Sequence, residues 1–346
     1  MKVFIDGIIY SLQNYGGISV YFNELLSTLQ HENIDYKIQL YSNKKQSPSP
    51  AGFELLRDQR WLERYRACRT NSSDLDIFHS SYYRNSDNKK VKNIVTVHDF
   101  VYEKYNHCLR KIVHSSQKFS SIKNADRIIC ISETTKSDLL EFLPKIDESK
   151  IDVIYNGVSN NFHPLESINK DQRPFLLFIG NRGGYKNFSA TAKALEYLTE
   201  FDLICVGGGA LAEEELKGLP SSVKVRIKHA GFLNEEDINK LYNQAFCLVY
   251  PSSYEGFGIP VAEAMRAGCP VVAYLCSAVI EIGKDALTVV ESLDPEIIAS
   301  GVNKLLSDEY RKSKIATGFS QSRLYDWKKT HDATLDSYRK ALGSPN

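Results

Sequence analysis

No apolar run in this chain reaches the roughly 20 residues that a membrane-spanning helix needs, so no segment reads as a transmembrane anchor. The amino terminus, Met1-Lys-Val-Phe-Ile-Asp-Gly-Ile-Ile-Tyr10, places Asp6 inside its apolar stretch and has no small-residue cleavage site. It reads as a first β-strand and not as a secretory signal. Cysteines stand at 68, 108, 130, 205, 247, 269 and 276 without a Cys-x-x-Cys pair or paired His ligands at zinc spacing. Their odd number, seven, argues for reduced thiols that pack and against a disulfide framework. Formal net charge is only +1, with a slight basic excess in the first half, too little for broad nucleic-acid binding. The expectation is a cytoplasmic protein without a nucleic-acid partner.

At 346 residues the chain exceeds the size at which one hydrophobic core usually stops growing, so two domains are expected. Its 42% hydrophobic and 25% charged content is ordinary for a globular protein. Short apolar runs alternate with helix-like segments, the pattern of parallel strands joined by crossover helices. A first series of strands is predicted at 2–6, 35–41, 75–80, 93–98, 126–131 and 151–155. A second series is predicted at 175–180, 202–206, 223–229, 246–250, 270–274 and 287–290. Between them, 156–174 is rich in turn formers and reads as a linker. The pattern predicts an α/β chain of two facing doubly wound parallel sheets, with a ligand cleft at the carboxyl ends of their strands.

The run from Tyr250 to Val272 concentrates the chemistry, because Glu255 and Glu263 stand with seven residues between them across Gly256-Phe257-Gly258-Ile259 and a helix start. Pro260 suits the first helical position, where no N–H is needed, so Glu263 falls about one turn inside the helix. Free backbone amides at such an end attract phosphate oxygens. One carboxylate on each side of an anion site suggests hydroxyl-bearing groups flanking a phosphate. Pro-Ser-Ser, Gly-Phe-Gly-Ile-Pro, Glu-Ala-Met and Ala-Gly-Cys-Pro-Val-Val all stand in register around the pair. The run resembles the signature of the family 4 retaining glycosyltransferases of the GT-B fold.

That resemblance implies that Glu255 touches a donor-sugar hydroxyl and that Glu263 binds the ribose of a nucleotide-diphosphate sugar. It implies domains over 1–164 (acceptor binding) and 165–327 (nucleotide-sugar binding), with a final helix over 328–346 returning to the first. After the buried-strand run Phe175–Gly180, the turn Asn181-Arg-Gly-Gly-Tyr-Lys-Asn187 brings Arg182 and Lys186 to a strand's carboxyl end, before a helix expected to be capped by Asn187. In the family these cations grip the donor diphosphate. A fixed cation pair can stabilise the charge left on a departing nucleotide, in place of a metal, so no metal and no further cofactor are expected.

Gly207-Gly-Gly-Ala-Leu-Ala212 satisfies a dinucleotide-binding pattern after a strand, but the next strand ends Ile227-Lys-His229 without the acid that holds a ribose. A tight turn is the better reading. By resemblance, this loop and Gly231-Phe232-Leu233 line the nucleotide side through backbone groups. In the first half, Tyr15-Gly16-Gly17-Ile18 opens a helix close to the donor, and the strand Val95-Thr-Val97 ends in His98-Asp99, of which the His faces the donor sugar in the family. Ser132-Glu-Thr-Thr135 reads as a helix cap, Asn156-Gly157 as a shaper of the linker, and Ser277-Ala-Val-Ile-Glu281 carries Ile280 where the family usually has Pro. His79, His107 and His229 carry no assigned role.

In 53–69, Trp61, Tyr65 and Cys68 recur at helical spacing beside Arg57, Arg60 and Arg64, which fits either a helix on an anionic bilayer or an ordinary packed helix. The expected function is a metal-independent retaining transferase of bacterial O-antigen, capsule or other surface polysaccharide assembly, peripheral on the cytoplasmic face of the inner membrane. Its donor is a GDP-sugar such as GDP-mannose, or alternatively a UDP-sugar, and its acceptor a lipid-linked glycan. A glycoside hydrolase needs two carboxylates flanking a glycosidic bond. A sugar-nucleotide sensor would keep the binding site without transfer.

Overall fold

The computed structural model describes residues 1–13, 16–45, 53–70, 74–105, 109–166 and 173–343; Tyr15, His107 and Cys108 lie outside them. Contacts divide the chain into one unit of Met1–Gly157 with Trp327–Asn346 and a second of Val158–Asp326. The first boundary falls before residue 164 because Val158 is already tied into the second unit. Its N–H donates to Tyr325 O (3.2 Å), and its carbonyl accepts from Arg266 Nη1 (2.5 Å).

The first unit is built on a seven-stranded parallel sheet of β1 (Lys2–Asp6), β2 (Asp35–Tyr41), β3 (Phe53–Arg57), β4 (Ile77–Ser80), β5 (Lys92–Val97), β6 (Arg127–Cys130) and β7 (Ile151–Val153). Their order is β3-β2-β1-β4-β5-β6-β7. The central strands read as nearly unbroken apolar runs because helices cover both faces. Val3, Ile5, Ile38, Ile77, Ile94 and Ile129 are fully buried with Phe22 and Leu25 of the helix Gly17–His31.

The helix expected over 53–69 is absent. Phe53–Arg57 pairs in parallel with Lys37–Tyr41 of β2, and Leu62 takes a left-handed φ of 56° before the one-turn helix Glu63–Tyr65. A β2 edge with free backbone groups outweighs a helical spacing that has no core to face. Cys68 is buried beside β1, and all six described cysteines are buried.

The helix Trp327–Ala341 returns to the first unit. His79 explains how it is held: its Nδ1 meets Tyr338 Oη at 2.7 Å and its Nε2 meets Thr96 Oγ1 at 2.8 Å, joining the helix to β4 and β5. Gly157 is fixed by close approach, since a Cβ there would collide with the backbone of Trp327.

The second unit carries a six-stranded parallel sheet of β8 (Phe175–Ile179), β9 (Asp202–Val206), β10 (Ile227–His229), β11 (Cys247–Tyr250), β12 (Val271–Tyr274) and β13 (Leu287–Val290), ordered β10-β9-β8-β11-β12-β13. The predicted strand at 223–229 is shortened because Ser221–Lys224 is helical. The chain leaves β8 toward one edge through β9 and β10, then re-enters beside β8 as β11. That reversal is a topological switch point, where loops diverge and open a crevice. The loops after β8 and β11 are those that carry Lys186 and Glu255.

Candidate functional site

Lys186 and Glu255 are brought together. Lys186 closes the short helix Gly184–Lys186 after β8, and its Nζ donates to Glu255 Oε1 and to Tyr250 Oη (3.2 Å). Tyr250 Oη donates to the same Glu255 oxygen at 2.8 Å. Burial, and then the charge of Glu255, push the Tyr250 phenol well above its ordinary range, so it stays a neutral donor. Both Lys186 and Glu255 keep some solvent contact, and Glu255 Oε2 has no protein donor among the described residues. The cluster therefore holds a fixed cation and a carboxylate with one oxygen still available to a ligand hydroxyl.

Asn187 holds these loops in register. The two N–H donors of its Nδ2 are shared among Tyr185 O (3.0 Å), Pro251 O (2.9 Å) and Ser253 Oγ (2.7 Å), while Ser253 N–H donates to Tyr185 O (2.8 Å). The expected side-chain cap on the helix Phe188–Ala194 is absent, because the amide is turned across to the neighbouring loop. Asn is suited to this position twice over, tolerating its left-handed φ of 52° and carrying the amide.

The helix Ile259–Ala267 begins after Gly258, whose φ is +94°, and Pro260 is its second residue instead of its first. Gly256 and Phe257 are buried at its amino end. Glu263 accepts a hydrogen bond from Tyr242 Oη at 2.9 Å. Burial pushes its carboxyl up to about 7, against the lowering effect of Tyr242 and with a small push from Glu235. Near neutral pH, Glu263 is thus shared between protonated and ionised forms.

Arg182 differs from expectation. Its side chain is 1% exposed: Nε donates to Glu215 Oε1 (2.9 Å), Nη1 to Gly207 O (2.7 Å), and Nη2 to Gly209 O (2.9 Å) and Ala210 O (3.0 Å). Burial raises the Glu215 carboxyl, but the hydrogen bonds from Arg182 and from Ala212 N–H outweigh it and hold the pKa below the usual value. The guanidinium organises the glycine turn after β9, where Gly207, Gly208 and Gly209 all have positive φ. Gly207 N–H donates to Gly231 O (3.3 Å), which links this turn to the loop after β10. There Phe232 is 80% exposed and Leu233 partly so.

His98, Gly16 and Gly17 belong to the first unit. His98 follows β5, is buried, and its Nε2 has no partner among the described residues. Burial, with the charge of Lys118, pushes its pKa down to about 3, leaving a neutral imidazole. Lys118 Nζ donates to Asp99 O and to Glu103 Oε2 (3.1 Å), and Asp99 Oδ1 accepts from Val101 N–H (3.1 Å). Asp99 is thus a turn former beside His98. Gly16 is extended and exchanges hydrogen bonds with Ser19 Oγ as the helix from Gly17 begins. Ser132 Oγ caps its helix by accepting from Thr135 N–H (2.9 Å). Ile280, standing where the family usually has Pro, donates its N–H to Cys276 O (2.8 Å). Among the described residues no helix is long and apolar enough to cross a membrane.

Sequence reasoning did not find Tyr242, Tyr250, the cross-loop role of Asn187, or Glu215. Tyr250 opens the Glu255 run, so its place beside the motif was a usable signal; Tyr242 had none.

Two family models cover most of the chain: "Glycosyltransferase Family 4" matches residues 15–162 and "Glycosyl transferases group 1" matches residues 161–319. An uncharacterized glycosyltransferase of Methanocaldococcus jannaschii is 29% identical over 253 residues, covering 67% of this chain and 64% of that protein. O-antigen chain mannosyltransferase B of Escherichia coli is 26% identical over 235 residues, covering 63% and 62%. The chain therefore spans less than two thirds of either relative. Among solved structures, sucrose-phosphate synthase from Thermosynechococcus elongatus aligns with a TM-score of 0.79 at 17% identity over 99% of both chains. Anabaena HepE in complex with UDP-glucose aligns with a TM-score of 0.74 at 14% identity, covering 98% of this chain and 100% of that one. At such identities these two likenesses concern the fold.

Proposed function

Because the chain belongs to the family 4 glycosyltransferases and has the GT-B fold, we propose that it moves a hexose from a nucleotide-diphosphate sugar to a glycan acceptor. The observation that carries this reading is the cluster of Lys186, Tyr250 and Glu255 at the switch point of the second sheet, next to the helix that bears Glu263. Lys186 meets the diphosphate, and the partial positive charge of the helix end adds to it. Glu255 orients a sugar hydroxyl through its available oxygen, and Glu263 accepts from the ribose. Backbone groups of Gly231, Phe232, Leu233 and of Gly256 through Ile259 line the nucleotide. Arg182 acts by holding the glycine turn in shape.

Transfer is retaining. The anomeric C–O bond to phosphate breaks, and a C–O bond to the acceptor oxygen forms on the same face. The acceptor's proton passes to the leaving phosphate oxygen. Lys186 stabilises the charge that develops there, so no metal is needed. His98, neutral at physiological pH, offers a hydrogen bond to the sugar, and the glycine pair Gly16–Gly17 lets backbone approach the donor.

The preferred donor is GDP-mannose or a related GDP-sugar, a reading supported by the name of the Escherichia coli relative. A UDP-sugar is the alternative, supported by the UDP-glucose bound to HepE. The acceptor is a lipid-linked glycan of bacterial surface polysaccharide, met at the cytoplasmic face of the membrane. Thermal-shift screening against GDP, UDP and their sugars, followed by transfer from isotope-labelled donor, tests this. Lys186→Ala and Glu255→Ala each lose most turnover while staying folded; wild-type rates in either, or glycan cleavage without nucleotide, would sink the assignment.

A further inference from the structure

Lys118, on the helix Leu109–Lys123 of the first unit, is fully buried. Among the described residues its ammonium donates to two oxygens, the backbone carbonyl of Asp99 and, at 3.1 Å, Glu103 Oε2. The rings of Phe100, with its centroid 3.6 Å from Nζ, and of Tyr83, 5.2 Å away, close round it. Glu103 is buried too, on the helix Val101–Tyr105, and accepts from Ser115 Oγ at 2.9 Å. Taking an ammonium and a carboxylate out of water is costly, and an apolar side chain such as Met would fill the same space without that cost. The positions of the two acceptors show what the charge adds over packing.

One of them lies a single residue from His98. The pairing of β5 with β6 ends at Val97, whose carbonyl accepts from Ile131 N–H at 3.4 Å. Past that point the His98 backbone hydrogen bonds to Tyr83, whose ring packs on the Lys118 ammonium, and the Asp99 carbonyl is taken by the ammonium itself. The imidazole rests edge-on against Tyr21, with centroids 5.4 Å apart, and its buried Nε2 has no hydrogen-bond partner among the described residues. The place of the ring is thus set through its backbone, and Lys118 grips that backbone on both sides.

We propose that Lys118 is the positioning residue of His98: anchored on Glu103, its ammonium pins the Asp99 carbonyl and fixes the imidazole just past the end of β5. That the pinning serves transfer rests on the reading that His98 meets the donor sugar; the pinning itself does not. The same charge also reaches the ring. The titratable groups around His98 are Tyr21 from the helix Gly17–His31, His79 of β4, Tyr83, Asp99 and Lys118. Burial raises both phenols and lowers His79, so these three are neutral near pH 7, and Lys118 is the positive charge that adds to burial in keeping His98 unprotonated. Asp99 and Glu103 in turn hold the proton on Lys118 against its own burial. A neutral imidazole can both donate and accept, whereas imidazolium only donates.

The test is a double-mutant cycle in the full chain. It is read as kcat and KM for transfer from isotope-labelled donor, and as the His98 ring signal in carbon-13 histidine NMR, assigned by its absence in His98→Ala. Lys118→Met should lower kcat roughly ten- to a hundredfold while donor KM moves less than about twofold. Where that variant does not fold, Lys118→Met with Glu103→Gln leaves no buried carboxylate without its cation and should show the same loss. In the His98→Ala background neither change should cost further turnover, because Lys118 acts through His98. The His98 signal should be one sharp line that does not titrate between about pH 5 and 8 in the wild type, and should shift and broaden in either variant. An unmoved His98 signal, wild-type kcat in a folded Lys118 variant, or a full additional loss in the His98→Ala background would overturn the proposal in favour of packing alone. Wild-type kcat in His98→Ala would instead sink the reading of His98, and the NMR comparison would still decide the pinning.

Discussion

Replacing Glu263 with Gln should make the protein more stable at high pH while weakening its grip on the nucleotide. Burial raises the Glu263 carboxyl from 4.5 in the free side chain to about 7. Between those values the folded chain holds a proton that the unfolded chain releases, so wild-type stability is fully present below about pH 4.5 and falls as pH rises to 7. At about 1.4 kcal/mol per pH unit the ionised side chain costs about 3 kcal/mol above pH 7. The solvent contact that Glu263 keeps reduces this to about 2 kcal/mol. Gln does not titrate, and its carbonyl can still accept from Tyr242 Oη. Glu263→Gln should therefore match the wild type near pH 5 and melt about 5 °C higher at pH 8, on a scale of 2–4 °C per kcal/mol for a unit of this size. Thermal unfolding across pH 5–9 measures it. A difference that does not grow with pH would refute the raised pKa. Donor affinity supplies the opposite sign: the wild type should bind nucleotide more tightly as pH rises through 7, because only the carboxylate accepts from both ribose hydroxyls, and the variant should lose that slope.

Two further substitutions separate positioning from direct contact. Asn187→Ala removes the two N–H donors that three acceptors share and leaves Ala at a left-handed φ, costing about 2–3 kcal/mol in urea unfolding. Its turnover should fall more than its donor affinity, because Lys186 and Glu255 lose their mutual register; wild-type kcat would refute that role. Arg182→Lys keeps the charge but cannot span Glu215 and the carbonyls of Gly207, Gly209 and Ala210. If Arg182 works through the glycine turn, Lys and Ala should weaken the donor equally by calorimetry. A Lys variant near wild-type affinity would show instead that the charge itself reaches the phosphate.

What the sequence made legible follows the range over which each feature is decided. The apolar runs that became β1, β2, β8, β9 and β13 are local, and their bounds match the structure closely because parallel strands buried on both faces have no other composition. The placement of Glu255, Glu263 and Lys186 on their loops and helix was legible for the same reason, each standing at a fixed offset from a glycine or proline that sets the turn. The segment at 53–57 was misread because its neighbours repeat at helical spacing, whereas its conformation was decided by the vacant edge of β2, a distant partner. The surroundings of Arg182 were likewise decided at a distance, at the scale of one side chain. Its position at the end of β8 is local, but the acceptors that take its guanidinium come from a turn and a glutamate roughly a strand and a helix further along the chain. Charge that a pattern assigns to a ligand can thus be claimed first by the protein, and Lys186 remains the stronger candidate for the phosphate because, among the described residues, its carboxylate partner Glu255 still has an oxygen to offer the same ligand. Glu263 completes the argument: its place was legible in the motif, but its pKa depends on burial beneath Tyr242, a residue on another helix that nothing in the local sequence marks.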